Sequence, residues 1–236
     1  MPELPEVEAI RTQLDKFLQS HIIEKVEVRN RKIFQGDENN LLGAKFKAAR
    51  RFGKVTSLDF ENGYSIVTHV KMTGQFVYRG PNLPEIKPMS KKVVGGIPGP
   101  HTHVIFDLDR GGKLYYNDLR RFSWMKVVPT KEVEELDFIK KLGPEPFKDL
   151  DLETFKKIVT SNKRAIKVIL MDQSKMGGVG NIYANDALYL AKIMPDRKAN
   201  TLTNDETSRL YEALETVLKT GIKYGGASEL MFVTPK

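Results

Sequence analysis

The first eight residues, Met-Pro-Glu-Leu-Pro-Glu-Val-Glu, carry the most unusual chemistry of the chain. If Met1 is removed, Pro2 becomes an N-terminal secondary amine, a nucleophile that no internal residue can offer. Glu3 and Glu6 follow closely in sequence. An amine can split a difficult displacement into easier covalent steps, and neighbouring carboxylates can transfer protons. The terminus is therefore a candidate amine catalyst, and an ordinary N-terminal helix is the alternative.

A glycine-rich stretch, Met-Gly-Gly-Val-Gly-Asn at residues 176–181, comes immediately before a helical pattern that begins at Ile182. Consecutive glycines let backbone amides converge on an anion, and the following helix adds the positive end of its dipole. Asn181 can donate from its side chain. The stretch has neither the signature of a nucleotide P-loop nor that of a dinucleotide site. It predicts a phosphate site or, alternatively, only a turn between packed helices.

Three further segments indicate a nucleic-acid partner. Residues 45–54 alternate basic and aromatic residues across a strand and turn, which suits phosphate contacts, although a solvated strand face has the same pattern. The segments 69–75 and 117–122 each place cations and an apolar side chain, Met72 or Phe122, near a strand end. Such side chains can act as wedges that unstack base pairs, whereas Met72 and Phe122 taken alone are more often core residues.

Composition narrows the partners and the compartment. A formal charge of +8 favours a polyanionic partner, with a merely basic protein as the alternative. The chain contains no cysteine, and His101 and His103 lack a third ligand at a suitable spacing, so we expect no metal and no cofactor. No segment has the length of a membrane helix, and the acidic start is unlike a secretory signal. We therefore expect no membrane partner and a cytoplasmic or nucleus-like location.

The elements that must position these residues follow from periodicity. Apolar residues at helical spacing predict an N-terminal helix with Pro5 in its first turn. From Ile22 the period changes to two, and glycine, asparagine and proline turns predict an antiparallel sandwich or barrel of short strands. The predicted strands are 22–28, 45–52, 55–60, 64–70, 103–108, 113–116 and 122–128. Residues 80–100 have no periodic pattern and predict a long surface loop.

After Pro129 the pattern becomes helical, which predicts a second domain. We place a β-sandwich domain at residues 1–130, a stiff linker at 131–147 and a helical domain at 148–236. The predicted helices are 152–160, 164–171, 182–191 and 204–224. Thr203 or Asn204 is expected to cap the last helix.

Several motifs in sequence order make the chain resemble the formamidopyrimidine-DNA glycosylase family. They are Pro-Glu-Leu-Pro-Glu-Val-Glu, His-x-x-Met-Thr-Gly, Asp-x-Arg-Arg-Phe, Leu-Gly-Pro-Glu-Pro, Ala-Ile-Lys-x-x-Leu-Met-Asp and Gly-Val-Gly-Asn-Ile-Tyr-Ala. The resemblance extends from Pro2 to about Gly226. The Pro-Glu-Leu opening is closer to the purine-directed branch than to the endonuclease VIII branch, which usually begins Pro-Glu-Gly.

The resemblance implies an α+β fold of two domains. The first is an antiparallel β-sandwich with an N-terminal helix, and the second is a helical domain with a helix-two-turn-helix motif. It also implies excision of oxidised purines, namely formamidopyrimidines and 8-oxoguanine, through a Schiff base, followed by β,δ-elimination. The implied partner is double-stranded DNA with an oxidised purine or an abasic site. We expect a monomer in the cytoplasm, associated with the nucleoid.

The resemblance also assigns roles by position. The implied catalytic group is Pro2 as the nucleophile, Glu3 as the general acid for opening of the sugar ring, Glu6 as a supporting carboxylate, and Lys54. For DNA binding, the resemblance implies that His69 and Asn181, together with Lys54, bind phosphates around the lesion. It implies that Met72, Arg120 and Phe122 fill the hole left by the everted base. Lys167 is implied as a further positive position. Arg120 is expected to face the orphaned partner base.

Three departures from the family pattern bear on these roles. The family usually ends in a zinc finger with four cysteines, and this sequence has no cysteine, so either the protein is a member without the finger or the sequence lacks its tail; no zinc is expected in residues 1–236. Glu229 stands near the place where many members carry arginine in the lesion-capping loop. Asp186 stands where members commonly have glutamate. Two other functions therefore stay open: a catalytically weak or inactive protein that binds damaged or abasic DNA, and a basic RNA- or ribosome-associated protein.

Overall fold

The computed structural model describes residues 1–83 and 94–226. The predicted loop at 80–100 therefore lies partly outside the described residues, and Glu229 lies entirely outside them. In the two described ranges, none of the helices combines the length and the apolar character that crossing a membrane requires.

Helix α1, Leu4–Leu18, forms where the sequence predicts a helix. Glu3 is its N-cap residue, and the Glu3 backbone N–H donates to the Glu6 carboxylate at 2.8 Å. The apolar stripe from Ile10 to Leu18 is buried in the core of a β-sandwich. Leu4, at the other end, is buried in a second core made of helices. Helix α1 therefore joins the two cores, and the N-terminus lies at their junction.

The strands form two packed sheets. Their bounds are β1 Ile23–Val28, β2 Phe34–Gln35, β3 Phe46–Phe52, β4 Val55–Phe60, β5 Tyr64–His69, β6 Gly74–Arg79, β7 Thr102–Leu108, β8 Lys113–Asp118 and β9 Trp124–Pro129. The sheets have the strand orders β1-β7-β8-β6 and β2-β9-β5-β4-β3. Neighbouring strands are antiparallel, except that the short β2 runs parallel to β9. The predicted antiparallel sandwich is confirmed.

Strand β6 is missing from the predicted strands because apolar and polar residues do not alternate regularly along it. Phe76 and Tyr78 enter the core between the sheets, while Val77 packs with Ile105 and Tyr115 on the outer face of the sheet. A strand that is buried on both faces reads as a continuous apolar run. Phe122 shows the opposite error, since it precedes β9 and lies in a loop.

The second domain is helical. Its helices are α3 Leu152–Thr160, α4 Ile166–Met171, α5 Asn181–Ala191 and α6 Asn204–Lys223, and a short helix α2, Asp137–Lys140, precedes them. Helix α4 begins later than predicted because the extended Ala165 forms a β-bridge with Lys198. Thr203 caps α6 as predicted: its hydroxyl accepts from the Glu206 N–H at 3.2 Å, and the Glu206 carboxylate accepts from the Thr203 N–H at 2.8 Å. The two-domain α+β architecture is confirmed.

The connection between the sandwich and the helices is packed against the outer face of the sandwich. Val133 and Ile139 join Phe52 in a third apolar cluster. The Glu145 carboxylate accepts from the Gly53 N–H at 3.0 Å and pairs with Arg51. These contacts fix the turn between β3 and β4, which carries Lys54.

Candidate active site

The carboxylate of Glu3 lies against the N-terminus of α5. Its Oε1 accepts from the Ile182 N–H at 2.8 Å and its Oε2 from the Tyr183 N–H at 3.3 Å. Glu3 is only 2% exposed. Burial raises the pKa of Glu3 above its ordinary value; the two amides and the positive charge of Lys54 oppose that rise, and Glu6 adds to it. A raised pKa favours the protonated carboxyl, and a carboxyl of this kind is suited to act as a general acid.

Glycines allow Glu3 and its neighbour to approach so closely. A Cβ on Gly180 would lie 2.6 Å from Glu3 Oε1, and a Cβ on Gly178 would lie 2.9 Å from the Leu4 side chain. Gly178 also has a φ of +90°, which favours glycine. The Ile182 and Tyr183 amides, at the start of the helix that follows the glycine-rich stretch, thus bond to Glu3, so an internal carboxylate occupies the positive end of the helix dipole.

Glu6 is fully buried and ties three segments together. Its Oε2 accepts from the Glu3 N–H, and its Oε1 accepts from the Tyr183 hydroxyl at 2.9 Å. A Cβ on Gly226 would lie 2.6 Å from Glu6 Oε1, so the backbone after α6 packs directly on this carboxylate. Glu6 therefore joins the first turn of α1 to α5 and to the segment that follows α6.

Pro2 is buried beside these carboxylates, while Met1 is about half exposed. The next residue but one, Leu4, donates its N–H to the Gly178 carbonyl oxygen at 3.0 Å, which fixes the direction of the terminus. With Met1 in place, the Pro2 nitrogen belongs to a peptide bond and is not a free amine.

Lys54 reaches this site from the turn between β3 and β4 and is buried. Burial lowers the pKa of the Lys54 ammonium, and attraction to Glu3 and Glu6 opposes the decrease. Two arginines of the same basic segment are held by internal carboxylates: Arg50 pairs with Asp59 and Arg51 with Glu8. Lys54 is the cation of this segment that lines the cleft described below.

His69 ends β5 and is neutral at physiological pH. Burial, together with the positive charges of Lys71 and Lys54, lowers the pKa of His69 to about 3. Its Nδ1 accepts from the Lys71 N–H at 3.0 Å, which assigns the single ring proton to Nε2. The ring can therefore donate one hydrogen bond without carrying a charge.

A cleft of about 510 Å³ opens beside these groups. Its lining includes Met1, Lys54 and His69 together with the aromatic rings of Trp124 and Phe138. Lys71 and Lys126 add positive charge to the lining. A concave site with apolar walls and a few convergent polar groups is typical of substrate binding.

Met72, Arg120 and Phe122 form one cluster, named here the wedge. The Arg120 Nη1 lies 3.2 Å from the Met72 sulfur, and the guanidinium carbon lies 4.8 Å from the centre of the Phe122 ring. Met72 is 45% exposed and Phe122 is 59% exposed, so the alternative that they are core residues is wrong. Large apolar side chains that project with a cation are typical of a surface that inserts between bases.

The remaining predicted residues are more dispersed. Asn181 is exposed and directly precedes the Ile182 amide that binds Glu3, whereas Lys167 is half-buried on α4. The His103 Nε2 donates to the Asp118 carbonyl oxygen at 2.8 Å, so this ring is used by the fold. Across residues 1–83 and 94–226, no three potential ligands among His, Cys, Asp and Glu are grouped to hold a metal ion.

Two residues that support the site were not identified from the sequence. Tyr183 bonds Glu6 through its hydroxyl and Glu3 through its amide. Asp118 is fully buried next to the wedge and accepts hydrogen bonds from both of the loops that form it. Tyr183 lies in the Gly-Val-Gly-Asn-Ile-Tyr-Ala motif and Asp118 in the Asp-x-Arg-Arg-Phe motif. A sequence motif alone does not show which residues its side chains contact.

Comparison with known proteins matches both parts of the chain to one family. Residues 1–125 match the formamidopyrimidine-DNA glycosylase N-terminal domain, and residues 142–232 match the formamidopyrimidine-DNA glycosylase H2TH domain. The formamidopyrimidine-DNA glycosylase of Desulforamulus reducens is 39% identical, covering 97% of this chain and 80% of that protein. That of Rickettsia conorii is 38% identical, covering 99% and 82%.

Solved structures show the same arrangement. Lactococcus lactis Fpg in complex with DNA that contains an abasic site has a TM-score of 0.83 and 28% identity, covering 98% of this chain and 82% of that one. The MutM (Fpg) protein of Thermus thermophilus has a TM-score of 0.81 and 32% identity, covering 96% and 78%. Because both domain models match and relatives 38–39% identical are covered over four-fifths of their length, the chain belongs to the formamidopyrimidine-DNA glycosylase family.

Proposed function

We propose that this protein is a bifunctional DNA glycosylase and AP lyase that removes oxidised purines from duplex DNA. The observation that carries the proposal is the convergence of the N-terminus, the buried carboxyl of Glu3 and the buried ammonium of Lys54 beside one cleft. Lys71, which also lines the cleft, directly precedes Met72 of the wedge. Relatives support the substrate: Lactococcus lactis Fpg has been solved with abasic-site DNA and with DNA containing N7-benzyl-Fapy-dG.

Pro2 supplies the nucleophile once Met1 has been removed. The lone pair of the Pro2 amine forms a bond to sugar C1′. At the same time the bond from C1′ to the base breaks, and its electrons leave with the base. The departing base is neutralised by a proton. The ammonium formed on Pro2 then loses its proton, and the nitrogen lone pair forms a second bond to C1′ as the C1′–O4′ bond breaks with its electrons going to O4′. The products are a Schiff base on Pro2 and an open sugar.

Glu3 donates the proton that O4′ receives as the sugar ring opens. Its raised pKa favours the protonated form of the carboxyl before the reaction. The amides of Ile182 and Tyr183 then stabilise the carboxylate that remains. Glu3 can therefore donate its proton although it is buried, because the two helix amides stabilise the negative charge left on its carboxylate.

Strand cleavage follows from the Schiff base. The iminium acidifies C2′, and loss of a C2′ proton expels the 3′ phosphate with the electrons of its C–O bond. A second elimination expels the 5′ phosphate, which gives β,δ-elimination. Hydrolysis of the remaining Schiff base regenerates the Pro2 amine.

The other predicted residues hold the DNA. Lys54, His69 and Asn181 would bind phosphates near the lesion, His69 through its Nε2–H and without a charge, and Lys167 adds a cation from α4. The wedge would fill the space left by the everted base, because flipping costs a few kcal/mol that inserted side chains partly recover. All these groups come from one chain, so a monomer is sufficient.

Borohydride trapping tests this function. Protein shown by mass to lack Met1 is incubated with duplexes that contain 8-oxoguanine, a formamidopyrimidine or an abasic site, and with undamaged duplex and RNA as controls. A reduced covalent adduct with damaged DNA alone is expected. Binding to damaged DNA without an adduct would instead identify a damaged-DNA binding protein. Equal binding to undamaged duplex and RNA would identify a general nucleic-acid binder.

A further inference from the structure

The wedge is built on the two loops that cross between the sheets at one end of the sandwich. Residues 70–73 connect β5 to β6 and carry Met72, and residues 119–123 connect β8 to β9 and carry Arg120 and Phe122. Each loop therefore leaves one sheet and enters the other. Loops of this kind are free to move apart unless side chains join them.

One buried carboxylate joins the two loops. Asp118 Oδ1 accepts from the Thr73 hydroxyl on the first loop and from the Arg120 N–H on the second, the latter at 3.1 Å. Its Oδ2 accepts from the Ser123 N–H at 2.9 Å and from the Ser123 hydroxyl at 2.6 Å. Thr73 is shared as well, because its hydroxyl oxygen accepts from the Arg120 N–H at 3.1 Å.

The loops need such a constraint because each contains a strained residue beside a wedge side chain. Lys71, just before Met72, has a φ of +52°, and Arg121, between Arg120 and Phe122, has a φ of +59°. Residues other than glycine adopt this left-handed conformation only when surrounding contacts hold them there.

Asp118 is ionised in this environment. Burial, the largest influence, disfavours the charged form, but hydrogen bonds from Ser123, Thr73 and Arg120 outweigh it and hold the pKa of the carboxyl below its ordinary value. An ionised carboxylate accepts four bonds at once, which a neutral amide or acid cannot do.

We propose that Asp118 is a positioning residue that preorganises the wedge by locking its two loops together, and that it thereby sets base eversion and the recognition of the opposite base. The inference rests on the proposed function. Asp118 should not take part in bond cleavage, because its side chain bonds residues of the wedge loops and not Glu3 or Lys54. A preformed abasic site has no base to evert, so its cleavage should depend little on Asp118.

The backbone of Asp118 is held independently of its side chain. Its N–H donates to the His101 carbonyl oxygen at 2.9 Å, its carbonyl oxygen accepts from His103, and Asp118 pairs with Gly74 in the sheet. Asp118→Asn therefore keeps the strand and the shape of the side chain. The substitution replaces one carboxylate oxygen with an NH2 group that faces other hydrogen-bond donors, so the side chain can no longer hold the two loops together.

Single-turnover kinetics on two substrates test the inference. We expect Asp118→Asn to slow excision of a paired oxidised purine by about tenfold or more and to weaken discrimination between opposite bases, while trapping on a preformed abasic site changes by less than about threefold. Equal losses on both substrates, or unchanged discrimination, would overturn it. If wild-type protein gives no adduct on abasic DNA, the proposed function fails instead.

A double-mutant cycle tests whether Asp118 acts through the wedge. In an Arg120→Ala background, Asp118→Asn should have little further effect on opposite-base discrimination; additive effects would contradict a positioning role. If Asp118→Asn does not fold, Thr73→Val and Ser123→Ala each remove one donor and should show the same split between substrates to a smaller degree. An equal effect of both variants on the two substrates would reject the inference.

Discussion

Glu3 accepts a hydrogen bond of 2.8 Å from the backbone amide of Ile182, which is 179 residues away in the chain. Glu3 caps α1 and Ile182 lies in the first turn of α5, so the starts of two helices meet at one carboxylate. The contact places the N-terminus at the junction of the two cores, where burial raises the pKa of Glu3 although the amide bond itself opposes the rise.

Replacement of Glu3 by glutamine should remove the proton donor and keep one oxygen as an acceptor, while the new NH2 group faces one of the two helix amides. The excision rate should fall by about 10²- to 10⁴-fold, and the free energy of unfolding should decrease by about 1–3 kcal/mol because one buried amide loses its acceptor. Burial raises the pKa of Glu3, so the wild-type rate should fall as pH rises through that pKa, and Glu3→Gln should lack this dependence. Single-turnover rates across pH, with the exposed Glu24→Gln as control, measure both effects; an unchanged rate would remove Glu3 from the chemistry.

Burial of His69 makes stability depend on pH. The folded-state pKa is about 3, against about 6.5 in the unfolded chain, so between these pH values the unfolded chain binds more protons. The free energy of unfolding should therefore decrease as pH falls from about 6.5 towards about 3, and His69→Gln should reduce the slope. Urea unfolding of both proteins across this range measures the difference, and parallel curves would show that His69 does not contribute.

Phe122→Ala should separate function from stability. Because the ring is 59% exposed, we expect the free energy of unfolding to change by only about 0.5 kcal/mol, while excision of a paired lesion slows by about tenfold. Leu119→Ala is a matched control, since Leu119 is 48% exposed on the same loop and is not part of the wedge. Equal excision rates for the two variants would argue against insertion by Phe122.

Gly180→Ala and Gly43→Ala should give opposite outcomes. A Cβ on Gly180 meets Glu3 Oε1 at 2.6 Å, so the carboxylate must move and activity should fall by about tenfold or more. Gly43 has open space around it but a φ of +71°, so alanine there should cost about 1 kcal/mol of stability without loss of activity. Excision kinetics and thermal unfolding of both variants distinguish the two effects.

Periodicity predicts the elements whose burial is one-sided. The apolar stripe of α1 and the cap at Thr203 were predicted from local sequence because neighbouring residues decide them. Strand β6 was not predicted, since Val77 is buried on the face opposite Phe76 and Tyr78. The sequence pattern predicts Phe122 in a strand because an apolar residue shortly before Trp124 continues the alternation, but its ring projects from a loop.

The site residues were predicted better than the contacts between them. The terminus, Lys54 and the wedge came from motifs, but the bonds from the start of α5 to the carboxylate of Glu3 were not predicted. No role for Asp118 is predicted from the sequence, because its four bonds join two loops that are distant in sequence and adjacent only in the folded sandwich. Long-range pairs of this kind depend on the tertiary structure and leave no local pattern.

The most direct test of the central claim is the position of the covalent bond. Protein that lacks Met1 is trapped with borohydride on abasic-site duplex and digested, and the modified peptide is identified by mass spectrometry. We predict that the DNA-derived mass lies on the amine of Pro2 and that protein retaining Met1 gives no such adduct. A trapped adduct on a lysine, or an adduct that forms equally well with Met1 present, would contradict the account.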